Sequence, residues 1–306
     1  MRDLFNQDMD EIVINKPIRL IELFGGYGSQ FMAMKRIGAK VESWLLCEFD
    51  PYAVKSFNAI HGTNYKPSDV CELHGKDLKI VEKDKYCYML TYSFPCTDLS
   101  VAGKMQGMSK ADWENGKSTR SGLLWEVERI LSELPKEDLP QVLFMENVPQ
   151  VLGEKNLPDF RKWEDYLTRL GYTNYIEILN AKDYGVAQNR ERCFMFSFLG
   201  EVYYEFPEKI KLQKKMKDYL EDNVDEKYYL KSEKARRLIE SLISNGTLER
   251  ATSNRTEQNR TELWTIDGSV NNTKVKSIAN CIKVRYDAGI SNLQSDGNCI
   301  VERYKR

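Results

Sequence analysis

Ile18-Arg19-Leu20-Ile21-Glu22-Leu23-Phe24-Gly25-Gly26-Tyr27-Gly28 decides how the chain is read: an apolar run of strand length stops at a glycine-rich turn. Beyond the turn, Phe31, Met34 and Ile37 recur at helical spacing and Gly38 closes the pattern. Val41 to Phe49 reads as a second strand. Pro51 to Ile60 reads as a helix opened by Asp50, with proline at its first position. The alternation continues with strands at Tyr86 to Tyr92, Val142 to Met145 and Arg192 to Leu199, and helices at Leu123 to Leu134 and Phe160 to Leu170. Strands separated by helical patterns predict an α/β fold: a doubly wound, mostly parallel sheet covered on both faces.

Composition fits that reading and excludes others. The 306 residues are 42% hydrophobic and 30% charged, with 45 Lys+Arg against 46 Asp+Glu and a net charge of −1. That apolar share can bury a sizeable core, which excludes a disordered or collagen-like chain. No apolar run approaches the ~18–20 residues of a membrane span. The acidic N-terminus, MRDLFNQDMDE, lacks the apolar stretch of a secretory signal. The 7 cysteines are odd in number and never form a C-x-x-C pair, which points to reduced thiols in a cytoplasmic setting. With 2 histidines besides, no metal site is expected.

The character changes near residue 205. Residues 1–200 hold 25 Lys+Arg and 29 Asp+Glu, whereas 201–306 hold 20 and 17, so the two parts differ in sign. A division into 1–204 and 205–306 follows, the second part smaller, Asn-rich and irregular. Ser244 to Glu262 has no long apolar run and carries Arg250, Arg255 and Arg260. Such a segment is either a solvated insertion or a nucleic-acid-facing loop, because arginine among Ser, Thr and Asn suits phosphate contacts.

In a doubly wound sheet, ligands sit at the carboxyl ends of the strands. The glycine turn is there, and glycine lets backbone approach a ligand closely. Residue 31 is Phe, so the G-x-G-x-x-G dinucleotide pattern is absent, and no Gly-Lys-Ser/Thr follows to make a P-loop. A nucleoside without a pyrophosphate is the expected ligand. Glu48, ending the second strand, can accept from both ribose hydroxyls, and Asp69 from an adenine amino group. Cys96 follows Pro95 at the end of a later strand, in a loop that Pro95 stiffens. Glu146-Asn147-Val148-Pro149 closes the next apolar strand, where a carboxyl is suited to proton donation. Arg190 and Arg192, two residues apart, share one face at the start of the last strand. Taken singly, each also has a plain reading as a buried thiol, a helix cap or a surface ion pair.

Phe-Gly-Gly-Tyr-Gly (24–28), Cys-Glu-Phe-Asp (47–50), Pro-Cys (95–96), Glu-Asn-Val (146–148) and Gln-x-Arg-x-Arg (188–192) occur in one order. In that set the chain resembles the DNA (cytosine-5)-methyltransferases of the compact bacterial or phage type, over about residues 17–200. The resemblance implies a Rossmann-like methyltransferase domain, a β-rich target-recognition region over 205–306, S-adenosylmethionine as cofactor and double-stranded DNA as partner. It assigns Phe24, Gly25, Gly26, Gly28, Glu48, Phe49, Asp69, Val70, Pro95 and Leu124 to the cofactor. Cys96 becomes the nucleophile that adds to C6 of a flipped-out cytosine. Glu146 contacts N3 and the exocyclic amine, Arg192 the base carbonyl, and Arg190 supports Arg192. Arg250, Arg255 and Arg260 would face DNA, in a restriction–modification setting within a bacterial or phage-infected cell.

Two departures qualify the resemblance. Thr97 stands where many members have Gln or Asn, and the closing Gly-Asn-Ser helix of the family has no match before Arg306. The expectation drawn from this is a split or truncated enzyme, its closing segment supplied by a second polypeptide or lost with the gene's end. Two other readings stay open: a catalytically silent DNA-binding subunit, and a tRNA cytosine-5-methyltransferase. The Cys-Phe-Thr signature of that last branch is absent.

Overall fold

The computed structural model describes residues 13–99, 107–117, 119–214, 216–219, 225, 233–244, 264–267, 274–276, 279–280 and 298–301. The chain divides into two compact units, Met1–Leu179 with Arg192–Pro207, and Asn180–Glu191 with Glu208–Arg306.

The first unit opens with β1 (Ile18–Leu23), α1 (Ser29–Arg36), β2 (Val41–Cys47) and α2 (Pro51–His61). Then come β3 (Cys87–Tyr92), α3 (Lys110–Glu114), α4 (Leu124–Ser132), β4 (Val142–Asn147), α5 (Leu157–Leu170) and β5 (Tyr172–Asn180). After β6 (Gln188–Asn189), which belongs to the second unit, β7 (Glu191–Leu199) completes the main sheet. Its strand order is β2-β1-β3-β4-β7-β5. β1 runs parallel to β2 and β3, and β3 to β4, as the alternating pattern predicts. β7 is antiparallel to β4. No α-helix separates β5 from β7, and without a crossover helix the chain reverses direction.

The period of two along the strands decides which core each side chain joins. On one face Ile21 and Leu23 of β1, Tyr88, Leu90 and Tyr92 of β3 and Leu143 and Met145 of β4 pack with α4 and α5. On the other, Ile18 and Leu20 meet Phe31 of α1 and Val54 and Phe57 of α2. Both faces are therefore covered, and β1 and β3 are buried along their whole length. β5 was not foreseen, because it lies at the sheet's end and its Thr173, Asn174 and Glu177 hide the apolar alternation. α2 forms as its residues dictate: Asp50 accepts from the Tyr52 amide at 2.8 Å, Pro51 sits in the first turn, and Gly62 ends the helix.

In the second unit β8 (Trp264–Asp267) pairs antiparallel with β9 (Lys274–Lys276) and with β11 (Asn298–Val301). β10 (Ala279–Asn280) pairs parallel with β6, and α6 spans Glu233–Ser244. Arg250, Arg255 and Arg260 lie outside the described residues. Among the described residues no helix is long and apolar enough to cross a membrane.

Candidate active site

Two groups of side chains meet the carboxyl ends of the main sheet, and the glycine turn organises the first. Phe24 adopts a positive φ of 57°, uncommon for a residue with a Cβ, and its amide donates to the Cys47 carbonyl at 2.8 Å. Gly28, at φ 84°, cannot be another residue: a Cβ there would lie 2.5 Å from His61 Nε2 and 2.6 Å from the Phe57 ring. Gly26 differs, since a Cβ on it would meet nothing within 4 Å, so its backbone lines open space. The Gly26 amide donates to Glu48 Oε2 at 2.9 Å, and the Asp50 amide to Glu48 Oε1 at 2.8 Å. Two backbone donors thus fix the carboxylate while leaving it acceptor capacity.

Beside it Phe49 is 73% exposed and offers an aromatic face to solvent. The Glu48 carbonyl accepts from the Ser68 amide at 2.9 Å, which brings Asp69 to the same strand end. Asp69 caps the short 3-10 turn Val70–Glu72 by accepting from the Cys71 amide at 2.9 Å. An exposed aromatic face, a fixed carboxylate, a second acid and an open glycine backbone together fit a nucleoside. Leu124 is fully buried within the core.

Below the turn lies a group that the sequence reading passed over. Glu22 of β1 is fully buried, its Oε2 has no hydrogen-bond partner, and its Oε1 receives only the Phe31 amide at 3.4 Å. Burial pushes this carboxyl up to about 7, against a weaker opposing pull from that amide.

The second group gathers at the ends of β3, β4 and β7. Arg192 Nε and Glu146 Oε1 form an ion pair at 3.0 Å, both side chains being largely but not fully buried. Pairing of Asn147 with Cys193 and of Glu146 with Phe194 sets this register. Cys96 is half-buried and packs against the larger core. Its loop is held by side chains from two other elements. Asn147 Nδ2 donates to the Phe94 carbonyl at 3.0 Å, and Ser121 Oγ to the Pro95 carbonyl at 2.7 Å. Asp98 accepts from the Arg120 amide at 2.8 Å, tying the far side of the loop to the start of α4. Asn147 and Ser121 went unassigned in the sequence reading, although Asn147 adjoins Glu146 in the same motif. Arg190 belongs to the second unit, where its amide donates to Asn180 Oδ1 at 3.1 Å and its carbonyl accepts from the Ala181 amide at 3.0 Å.

A scan of family models matches residues 18–304 to the C-5 cytosine-specific DNA methylases. The type II methyltransferase M2.ScrFI of Lactococcus lactis subsp. cremoris is 32% identical over 269 residues, covering 70% of this chain and 71% of that one. The orphan methyltransferase M.SssI of Spiroplasma monobiae is 42% identical over 159 residues, which is 52% of this chain and 38% of that one. Among solved structures, the Entamoeba histolytica methyltransferase EhMeth superposes with a TM-score of 0.57 at 21% identity, over 70% of this chain and 63% of that one. The matched stretch thus spans from well under half to about seven-tenths of these relatives.

Proposed function

Because the chain belongs to the C-5 cytosine-specific DNA methylase family, we propose that it methylates C5 of cytosine in double-stranded DNA, in the cytoplasm of a bacterial or phage-infected cell. The family implies S-adenosylmethionine as cofactor, and the residues at the glycine turn fit it. Glu48 would take the ribose hydroxyls, Phe49 the adenine face and Asp69 its amino group, with Val70, Pro95 and Leu124 as walls. Bound there, the cofactor supplies an electrophilic methyl group.

C5 of cytosine is too electron-poor to take that methyl unaided. The Cys96 thiolate forms a bond to C6, and the C5–C6 π pair moves to C5. Glu146 shares a proton with N3 and accepts from the exocyclic amine, while Arg192 compensates charge at the base carbonyl. After transfer, a base such as water takes the C5 proton and the S–C6 bond breaks, returning the thiolate. Reaching C6 requires the base to leave the stack. Arg190 is proposed to support Arg192, residues 205–306 to read the target sequence, and Arg250, Arg255 and Arg260 to contact phosphates.

The observation that carries this reading is the Arg192–Glu146 pair at the ends of paired strands, beside a Pro95-Cys96 loop tethered by Asn147. The test is transfer of tritiated methyl to mixed-sequence DNA, with duplex containing 5-fluorocytosine as a trap for the adduct. Incorporation at C5 and a covalent adduct, both lost in Cys96→Ala, are expected. A folded chain that binds DNA without either outcome would be a silent DNA-binding subunit. Transfer only on adding another polypeptide would assign part of the cofactor pocket to a partner.

A further inference from the structure

The turn that carries Asp69 and Val70 has little support of its own. It holds two backbone bonds, Glu72 N–H to the Asp69 carbonyl at 3.1 Å and Leu73 N–H to the Val70 carbonyl at 3.3 Å. A single 3-10 turn has poor hydrogen-bond geometry and gains nothing from cooperativity. Its carbonyls instead converge on a side chain from another element. Arg129 of α4 directs Nη2 to the carbonyls of Leu73 at 2.8 Å, Val70 at 3.2 Å and Cys71 at 3.5 Å. Its Nε donates to Glu126 at 2.7 Å and its Nη1 to Glu133 at 2.6 Å. Glu133 reaches the same segment, accepting from the Gly75 amide at 2.7 Å. The Gly75 amide first, with help from Arg129 and His74 and against burial, holds the Glu133 carboxyl at about 2, so it remains an anion.

Two carboxylates therefore fix the plane of the guanidinium, and its remaining edge fixes the turn. The helix behind it does not give way, because Leu124, Val127, Ile130 and Leu131 are fully buried. We propose that Arg129 is a positioning residue for the cofactor's adenine: it holds the Asp69–Val70 turn against α4 so that the Asp69 carboxylate meets the amino group. This rests on the nucleoside reading above. Lysine keeps the charge but has no planar fork, so it cannot serve two carboxylates and three carbonyls in their present directions.

The test measures binding of S-adenosylhomocysteine to the full chain by titration calorimetry, beside an analogue whose purine lacks the 6-amino group. Arg129→Lys should weaken the parent ligand about tenfold, the value of one misaligned charge-assisted hydrogen bond, and the analogue by no more than about twofold. Glu133→Gln should give the same selectivity at about threefold, and it carries the test if Arg129→Lys does not fold. Equal losses on both ligands would reduce Arg129 to a structural role and overturn the proposal, as would unchanged affinities. Asp69→Asn is run alongside. If it fails to discriminate the two ligands, the adenine reading itself falls. If it discriminates and Arg129→Lys does not, only the positioning role falls.

Discussion

The two ends of the main sheet both carry an arginine paired with a glutamate, and they use the pair differently. At the amino end, Arg19 of β1 donates to Glu42 at 2.7 Å and to the Tyr88 hydroxyl at 2.8 Å. Its guanidinium lies 3.9 Å from the Trp44 ring centre and 3.6 Å from that of Tyr86, a sandwich that closes the cluster on itself. At the carboxyl end, the Arg192–Glu146 pair shares its edge of the sheet with a half-buried thiol, a strained Phe24, an exposed Phe49 and a buried Glu22 oxygen with no partner. One end satisfies its polar groups internally and stabilises the fold. The other keeps strain and unspent bonding capacity, which is where a ligand can be recognised.

If that contrast holds, the largest effect belongs to Cys96→Ala. Loss of the nucleophile should lower methyl transfer by about 10⁴-fold or more, with the thermal midpoint nearly unchanged because Cys96 is only half-buried at the core's edge. Residual transfer within tenfold of wild type, measured with tritiated cofactor, would remove the thiol from the chemistry and break the comparison at its centre.

Glu22 comes next and tests whether the carboxyl end really holds an uncompensated group. Its folded pKa of about 7 lies above the ordinary 4.5, so the folded state binds the proton more tightly. The associated stability is full below about pH 4.5 and is lost as pH rises to 7, about 3 kcal/mol in all. Glu22→Gln keeps an acceptor for the Phe31 amide and removes the titration. Urea unfolding at pH 4.5 and pH 7.5 should therefore show the variant gaining about 3 kcal/mol on wild type across that interval. A gap independent of pH would mean that Glu22 is compensated after all.

Arg19→Met probes the opposite end. It should cost about 2 kcal/mol of stability through the lost hydrogen bonds and stacking, and leave kcat of the folded fraction as in wild type. A fall in kcat at full folding would show that the two ends are coupled.

The same contrast explains what could be read from the chain alone. Strand order apart, the sheet was legible because β1 to β4 are short apolar runs, each bounded by a turn or a helix. β5 was not, since this end strand carries Thr, Asn and Glu that hide its apolar pattern. Phe24, Glu48 and Asp69 lie close in sequence to one glycine turn, so local spacing places them together. The convergence of Asn147 and Ser121 on the Phe94 and Pro95 carbonyls joins segments 53 and 26 residues apart, and no local pattern marks such contacts.

Ser121→Ala is the smallest perturbation and the sharpest test of the difference between the ends. The Ser121 hydroxyl is fully buried, and it donates to the carbonyl of the residue just before Cys96. Alanine leaves that carbonyl without its donor and costs about 1 kcal/mol of stability, half the amount expected for Arg19→Met. Yet the bond it breaks holds the backbone that aims the thiol, and small misplacements of a reacting group are expensive in rate. The variant should bind cofactor and DNA as wild type does and lose about three- to tenfold in kcat, the share of one positioning hydrogen bond. The rank order of the two substitutions then inverts between assays: Arg19→Met is the more harmful in a urea titration, Ser121→Ala the more harmful in single-turnover transfer. Should kcat instead follow stability in both, the carboxyl end would be a scaffold like the other, and the brace around Pro95 would have no part in orienting Cys96.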